Sequence, residues 1–198
     1  MEVIDSVANN SYSTDSFVTI GAFDTIHRGH SYLIEKIKNN LPKSNKLVVI
    51  TFIPNPKYVL GKDEFYKSKI LSVYRKRNIL RDLGVDILCE INFNKEFSKI
   101  SAKSFLSKYI IDPFSPNKIF VGHDLHFGYK REGDLKFLKL YEGEYSYKTV
   151  GVSPMLMNDK VISTFNIRND IITGKVDDAF DKLGFYYEIN GEVKKGDG

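Results

Sequence analysis

The fold of this chain is decided by residues 17–30, which read FVTIGAFDTIHRGH. Residues 17–20 are an apolar run that predicts a buried strand. The residues that follow the stretch place Leu33, Ile34, Ile37 and Leu41 on one side of a predicted helix. The stretch therefore predicts a strand that turns into a helix through a segment containing two glycines and two histidines.

This junction has the chemistry of a phosphate site. The first turn of a helix carries unpaired backbone N–H groups and the positive end of the helix dipole. Gly29 would let a ligand approach the backbone closely, and His27 and His30 each carry a ring N–H that can donate to phosphate oxygens. Both rings can point at one spot beyond the carboxyl end of the strand, where open parallel sheets bind ligands. The alternative is an ordinary helix start with two surface histidines.

The composition is that of a globular chain without a nucleic-acid footprint. Of 198 residues, 42% are hydrophobic and 27% charged, and 29 basic against 25 acidic residues give a net charge of only +4. The single cysteine, Cys89, cannot form a disulfide within the chain, and neither a signal peptide nor a long apolar segment is visible. We expect a cytoplasmic protein with no nucleic-acid or membrane partner, and the oligomeric state stays open.

Strand and helix patterns alternate along the chain. Apolar runs predict strands at residues 17–20, 46–52, 85–91, 118–122, 145–150 and 185–189, and helical spacing is found at residues 32–41, 68–83, 102–111, 135–141, 164–172 and 174–184. Residues 1–16 predict a leader strand or a loose arm, residues 57–69 a mobile loop or a solvated connection, and residues 190–191 a turn. The alternation predicts an α/β protein with a doubly wound parallel sheet.

Two further segments follow predicted strands directly. Residues 53–56 contain Pro54 and Pro56, which predict an extended, rigid loop that forms either a pocket wall or a plain turn. Residues 123–134 contain His123 and His126 among several glycines and aspartates. No cysteine or second clustered carboxylate gives these histidines the spacing of a zinc site, so we expect none there.

Four motifs together resemble a known family. Residues 21–30 resemble the Gly-x-Phe-Asp-x-x-His-x-Gly-His signature of the nucleotidylyltransferase superfamily. Residues 51–56, 121–133 and 162–168 are similar, in the same order, to the remaining motifs of prokaryotic FAD synthetase, the FMN adenylyltransferase module of bifunctional riboflavin kinase/FMN adenylyltransferase. The resemblance implies a Rossmann-like, doubly wound parallel sheet of the HxGH nucleotidylyltransferase type.

The resemblance also implies a reaction and the residues that perform it. The reaction is transfer of AMP from ATP to FMN, giving FAD and pyrophosphate, with Mg²⁺ as cofactor and ATP and FMN as small-molecule substrates. The implied catalytic residues are His27, His30 and Arg168. The implied nucleotide-binding residues are Gly21, Ala22, Phe23, Asp24, Gly29, His30, Ser163, Thr164 and Arg168. The implied FMN-binding residues are Pro54, Asn55, Pro56, Asp124, Phe127 and Arg131.

Two of these assignments carry alternatives of their own. Phe127 could stack on the flavin or belong to the core. Asp24 and Asp124 are candidate ligands for Mg²⁺, which usually takes only one or two carboxylates and keeps several waters. Asp24 could equally brace the turn in which it lies.

Three residues depart from the family pattern. Asn55 stands in place of a histidine, Leu125 in place of an aromatic residue, and Phe165 in place of a threonine or serine. The last change removes a hydroxyl expected to reach a phosphate, which Ser163 and Thr164 could replace. A different superfamily enzyme, a non-catalytic flavin or nucleotide binder, and a purely structural domain remain alternatives. The preference for ATP over CTP and the redox form of the flavin stay open.

The resemblance divides the chain into two parts. Residues 1–184 correspond to the FMN adenylyltransferase domain. Residues 185–198 resemble the first strand of a riboflavin kinase domain that is otherwise absent. The sequence leaves open whether the protein is a stand-alone adenylyltransferase or a truncated bifunctional one.

Overall fold

A six-stranded parallel sheet forms the centre of the described structure. The structure is a computed structural model that describes residues 1–5, 15–61, 69–189, 191–194 and 196. Neighbouring strands follow the order β1-β4-β3-β2-β5-β6, and every adjacent pair is parallel. The strands are β1 (Glu2–Ile4), β2 (Ser16–Ile20), β3 (Lys46–Ile53), β4 (Ile87–Asn92), β5 (Pro116–Gly122) and β6 (Lys148–Val152).

Helices and one small hairpin connect or follow these strands. The helices are α1 (Arg28–Asn39), α2 (Pro56–Leu60), α3 (Val73–Asp82), α4 (Ala102–Phe105), α5 (Asp112–Phe114), α6 (Leu135–Leu140), α7 (Glu142–Tyr145), α8 (Thr164–Ile172) and α9 (Val176–Leu183), with a π-helical segment at Leu106–Ile111 joining α4 to α5. The antiparallel hairpin consists of β7 (Leu156–Met157) and β8 (Lys160–Val161). Within the described ranges, no helix has the length and apolar character needed to cross a membrane.

Both faces of the sheet are covered, as the apolar runs predict. Side chains alternate along a strand, so β2 places Phe17 on one face and Val18 on the other. Phe17 belongs to a buried cluster with Ile34 of α1. Val18 belongs to a separate buried cluster with Phe105 of α4. This confirms the doubly wound sheet and explains why β2 is apolar at successive positions.

The strand order reverses beside β2. From β2 the chain continues to β3 and β4 on one side, and it later returns to β5 and β6 on the other side. In open parallel sheets, the loops at such a reversal separate and leave a crevice at the carboxyl ends of the strands. The segment between β2 and α1 therefore starts at the edge of the sheet where ligands bind.

The predicted strand at residues 145–150 begins too early. Tyr145 ends α7, Ser146 adopts a left-handed conformation with φ of 58°, and β6 starts only at Lys148. Tyr147 is 1% exposed, and its hydroxyl donates to the carbonyl of Leu138 at 2.6 Å. The aromatic residues of this run therefore pack on or within helices instead of pairing in the sheet. A sequence pattern alone does not distinguish these two arrangements.

The leader strand predicted within residues 1–16 is confirmed in part. Glu2–Ile4 pairs in parallel with β4 at the edge of the sheet, with Val3 opposite Leu88. Ile4 is buried against the same cluster as Val18. Residues 6–14 of that segment lie outside the described residues, and Ser16 at its end begins β2.

The predicted strand at residues 185–189 is wrong. Phe185 lies under the guanidinium of Arg75, 5.5 Å from the ring centre, and Glu188 pairs with the same arginine at 3.3 Å. Tyr186 packs against Phe180 of α9 with ring centres 4.4 Å apart. Side chains hold this segment on α3 and α9, and its described residues join no sheet. The predicted turn that follows includes Asn190, which lies outside the described residues.

Candidate active site

The two motif histidines meet at the N-terminus of α1. His27 caps the helix, and its Nδ1 accepts from the backbone N–H of His30 at 3.3 Å. The two rings stack with centres 3.8 Å apart and planes 14° apart. A Cβ at Gly29 would lie 3.1 Å from the His27 ring. Glycine at this position therefore lets the His27 ring lie against the first turn of the helix.

Burial keeps both imidazoles neutral. Desolvation lowers the pKa of His27 from 6.5 to about 4. Desolvation and the nearby His27 ring lower the pKa of His30 well below 6.5. Because Nδ1 of His27 accepts a hydrogen bond, its single proton belongs on Nε2. His27 can therefore present one N–H donor to a ligand without carrying a charge.

Asp24 ties three elements together beside these histidines. Nη2 of Arg168, on α8, donates to Oδ2 of Asp24 at 2.6 Å, and the Tyr58 hydroxyl, on α2, donates to Oδ1. The Arg168 side chain is 2% exposed. Burial and the bond to Asp24 raise the pKa of Tyr58, so its hydroxyl stays protonated. Asp24 thus braces the turn, which was one of its predicted roles.

The described residues do not form a dedicated metal centre. No group of three histidine, cysteine, aspartate or glutamate residues among them could hold a metal ion. Each oxygen of Asp24 accepts one hydrogen bond, from Arg168 or from Tyr58, and retains a second lone pair. The other predicted ligand, Asp124, has a side chain that is 83% exposed. A carboxylate so exposed remains able to reach a metal ion that arrives with a substrate.

The N-terminus of α8 lies beside the N-terminus of α1. The Ser163 hydroxyl accepts from the backbone N–H of Asn166 at 3.3 Å and caps α8. A Cβ at Gly29 would lie 4.0 Å from the carbonyl oxygen of Ile162, two residues before α8 begins. Two positive helix ends therefore converge at one place, which favours a polyanion such as a triphosphate. Thr164 occupies the first position of α8 at this point.

Phe165 is the second residue of α8, and the structure leaves its side chain 53% exposed. Residues three positions apart lie on neighbouring parts of a helix surface, so Phe165 lies one turn before Arg168. Phe165, which departs from the family pattern, therefore lies at the end of α8 that is near α1. Its side chain is not part of the core.

The loop after β5 carries two predicted FMN-binding residues at its surface. Asp124 lies 4.0 Å from Nδ1 of His123. Nη2 of Arg131 lies 3.0 Å from Nδ1 of His126. This loop begins at the carboxyl end of β5, so it adjoins the crevice beside β2.

Phe127 belongs to the core, so its predicted role as a flavin-stacking surface is not supported. It is 6% exposed and packs against Phe105 and Phe137, with ring centres 5.5 and 5.8 Å away. Its backbone exchanges two hydrogen bonds with Gly133, where a Cβ would lie 2.7 Å from the Phe127 ring. Phe127 and Gly133 thus lie side by side, and the loop after β5 turns back on itself between them.

The Pro54–Pro56 segment is not the extended loop that its prolines predict. Asn55 caps α2, with Oδ1 accepting from the backbone N–H of Lys57 at 2.9 Å, and Pro56 is the first helical residue. Asparagine is a preferred N-cap and proline is favoured at the first helical position. Asn55 therefore has a folding role that histidine would fill less well. Residues 62–68 of the predicted mobile loop lie outside the described residues.

A small cavity lies where β2 and β3 end. Its volume is about 30 Å³, which accommodates one or two waters but no aromatic ring. Its polar lining includes Asp24, Asn55, Tyr58, Lys69 and Lys76. A larger cleft of about 280 Å³ lies between the β7–β8 hairpin and helices α8 and α9, and it contains none of the predicted site residues.

Two residues of this region were missed by sequence reasoning. Tyr58 falls in a segment predicted as loop, and nothing in the sequence indicates its bond to Asp24. Lys76, on α3, is only 7% exposed. It precedes the buried Leu80 by four residues, which places it on the apolar face of its helix. That spacing is a signal that could have identified it.

Comparisons with known proteins agree on one family. A family model described as FAD synthetase matches residues 9–166. A bifunctional riboflavin kinase/FMN adenylyltransferase from Buchnera aphidicola subsp. Schizaphis graminum is 32% identical over 99% of this chain and 64% of its own length. Its counterpart from Bacillus subtilis is 33% identical over 92% of this chain and 57% of its own. The chain thus spans less than two thirds of the length of these relatives.

Solved structures support the same fold. A Streptococcus pneumoniae protein described as a macrolide-efflux protein superposes with a TM-score of 0.82 at 28% identity, covering 93% of this chain and 61% of its own. A pantoate-β-alanine ligase from Francisella tularensis matches 92% of this chain and 80% of its own with a TM-score of 0.57 at 15% identity, which concerns the fold alone. By its sequence motifs, its sheet and these matches, this chain belongs to the FAD synthetase family.

Proposed function

We propose that the chain is an FMN adenylyltransferase that transfers AMP from ATP to FMN, giving FAD and pyrophosphate. The observation that carries the proposal is the convergence of two helix N-termini with His27, His30 and Arg168 beside the reversal of strand order. Membership of the FAD synthetase family and the names of the relatives support the choice of substrates. We assign the activity to residues 1–184 and propose a cytoplasmic location.

The chemistry requires positioning more than base catalysis. A phosphate oxygen of FMN attacks the α-phosphorus of ATP, and the bond from that phosphorus to the oxygen bridging to the β-phosphate breaks. The electron pair leaves with pyrophosphate, so atoms and charge balance without a proton transfer. A phosphomonoester has its second pKa near 6, so the attacking oxygen is largely ionised at neutral pH. The protein must therefore hold two anions together and stabilise the developing charge.

The described residues fit that task. The Nε2–H of His27 and the free N–H groups at the starts of α1 and α8 would donate to phosphate oxygens. The neutral imidazoles contribute N–H donors, and because Asp24 balances the charge of Arg168, the N-termini of α1 and α8 would supply the positive potential. Removing one such donor is expected to cost on the order of 10²–10³ in rate. Mg²⁺ bound with ATP would neutralise phosphate charge, and Asp124 is the exposed carboxylate able to hold it.

A flavin or nucleotide binder without catalysis is the second candidate, and Phe165 favours it. An exposed aromatic side chain occupies the first turn of α8, where the family motif places a hydroxyl. Such a protein would bind FMN or ATP and release no pyrophosphate.

One experiment separates the two candidates. Purified protein is incubated with ATP, FMN and Mg²⁺, pyrophosphate release is followed, and FAD is identified by chromatography. We expect stoichiometric FAD and pyrophosphate from the parent and at least about 100-fold less from His30→Ala. Binding of FMN or ATP without either product would support the non-catalytic binder. Absence of binding to both would refute the proposed substrates.

A further inference from the structure

Lys76 is a buried lysine that faces the small cavity at the ends of β2 and β3. It is 7% exposed and lines that cavity together with Asp24 and Asn55. Burial lowers its pKa, while the nearby carboxylates of Glu90 and Asp24 oppose the shift. An ammonium group in such a place is costly unless something compensates its charge.

The two nearby carboxylates are already engaged by other partners. Glu90 is held by both Nε and Nη2 of Arg77, the first at 3.1 Å. Asp24 is held by Arg168 and Tyr58. In the described ranges, Lys76 takes part in no hydrogen bond or ion pair of its own. Its charge is thus balanced only at a distance, and its ammonium group remains available to the cavity.

A second cation faces the same space. Lys69 lines the cavity, and its charge also opposes protonation of Lys76. Two lysines at one small cavity repel each other, so an anion bound between them would stabilise the arrangement. The cavity of about 30 Å³ excludes an aromatic ring and suits the oxygens of a phosphate.

We propose that Lys76, assisted by Lys69, binds the phosphate group of FMN and so positions the attacking oxygen, an inference that rests on the proposed function. The choice of FMN over ATP follows from the location of the cavity. Its lining includes Pro54 and Asn55, which the family resemblance assigns to FMN, and among the described residues it includes none that form the starts of α1 and α8. The triphosphate is assigned to the helix starts of α1 and α8, which leaves this cavity to the acceptor phosphate.

The test compares FMN with riboflavin, which differ only in the phosphate, and uses an ATP analogue as a third ligand. Binding of FMN, of riboflavin and of a non-hydrolysable ATP analogue is measured by calorimetry on the parent and on Lys76→Met. A lost charge-assisted hydrogen bond corresponds to about 10- to 100-fold in affinity. We expect that loss for FMN, with riboflavin and the ATP analogue changed less than about twofold, because neither would contact Lys76.

Arg81→Gln is the matched control, because Arg81 is an exposed cation on the same helix that donates to Asn78 and does not line the cavity. It is expected to leave the ratio of FMN to riboflavin affinity unchanged. Lys76→Met should fold at least as well as the parent, because methionine fills a similar volume and removes a buried charge that lacks a close partner. Lys76→Arg should retain part of the FMN affinity.

The other outcomes either overturn the inference or separate it from the proposed function. Equal losses for FMN and riboflavin would show that Lys76 only supports the structure. A loss confined to the ATP analogue would assign Lys76 to a nucleotide phosphate. A parent that binds FMN through Lys76 but forms no FAD would keep this inference and refute the proposed reaction. A parent that does not bind FMN would refute both.

Discussion

Replacing Arg168 by methionine is expected to destabilise the protein by breaking its buried ion pair with Asp24. The Arg168 side chain is 2% exposed and that of Asp24 is 11% exposed, with 2.6 Å between their paired atoms. Removing one partner of a buried pair costs about 3–5 kcal/mol, because the other charge is left uncompensated. Tyr58 would still donate to Asp24, so we expect the lower end, about 3 kcal/mol. For a chain of this size, that loss lowers Tm by about 6–12 °C.

A double-mutant cycle separates this loss of stability from the loss of catalysis. Asp24→Asn alone should also be destabilising, since it leaves Arg168 buried without its carboxylate. The double variant removes both charges and should recover about 2 kcal/mol relative to the sum of the single changes. Urea unfolding of the four proteins measures the coupling energy. FAD formation should fall by on the order of 100-fold in both variants that lack Arg168, because the phosphate loses its cationic fork.

Two results would refute this reasoning. Strictly additive stability losses would mean that the two side chains are not energetically coupled. A stable double variant with the rate of the parent would exclude Arg168 from phosphate binding and leave it a purely structural role.

Three further predictions concern single positions. Between pH 6.5 and 4 the unfolded chain takes up a proton that folded His27 does not, so the free energy of unfolding should fall by up to about 3 kcal/mol as pH drops through this window. His27→Gln should lose that part of the pH dependence in urea titrations, and identical slopes would contradict the burial of a neutral imidazole. Phe165→Thr should lower KM for ATP by about two- to tenfold in steady-state assays, through one added hydrogen bond; an unchanged KM would place the residue outside the triphosphate site. Asn55→Ala should lower stability by about 1 kcal/mol by removing the cap of α2, whereas Asn55→Asp should keep it, and equal melting temperatures for the two variants would contradict the capping role.

The central part of the fold could be predicted because its strands are buried on both faces. Such strands are continuous apolar runs, and the run at Phe17–Ile20 followed by helical spacing indicates one strand and one crossover helix. Apolar runs at the periphery are ambiguous. Tyr147 and Phe185 lie in runs of the same character, yet they pack on helices instead of pairing in the sheet.

The candidate site was predictable only where one local motif carries it. His27 and His30 lie three residues apart, so a strand followed by a helix is enough to bring them together. Arg168 and Asp24 are separated by 144 positions; resemblance to a family assigned both to nucleotide binding, but the sequence did not predict the bond between them. Tyr58 and Lys76 depend on how α2 and α3 dock, which no local pattern encodes. Phe127 shows the converse, since a residue within a motif can serve the core.

The most direct measurement follows the α-phosphate of ATP in a single turnover. The parent protein is mixed with FMN, Mg²⁺ and ATP labelled at the α-phosphorus, and the products are separated by chromatography. Transfer of AMP predicts that the label appears in FAD, that pyrophosphate stays unlabelled, and that His30→Ala, checked for an unchanged melting curve, shows no transfer. Label that remains in ATP while FMN is bound would contradict the proposed adenylyl transfer.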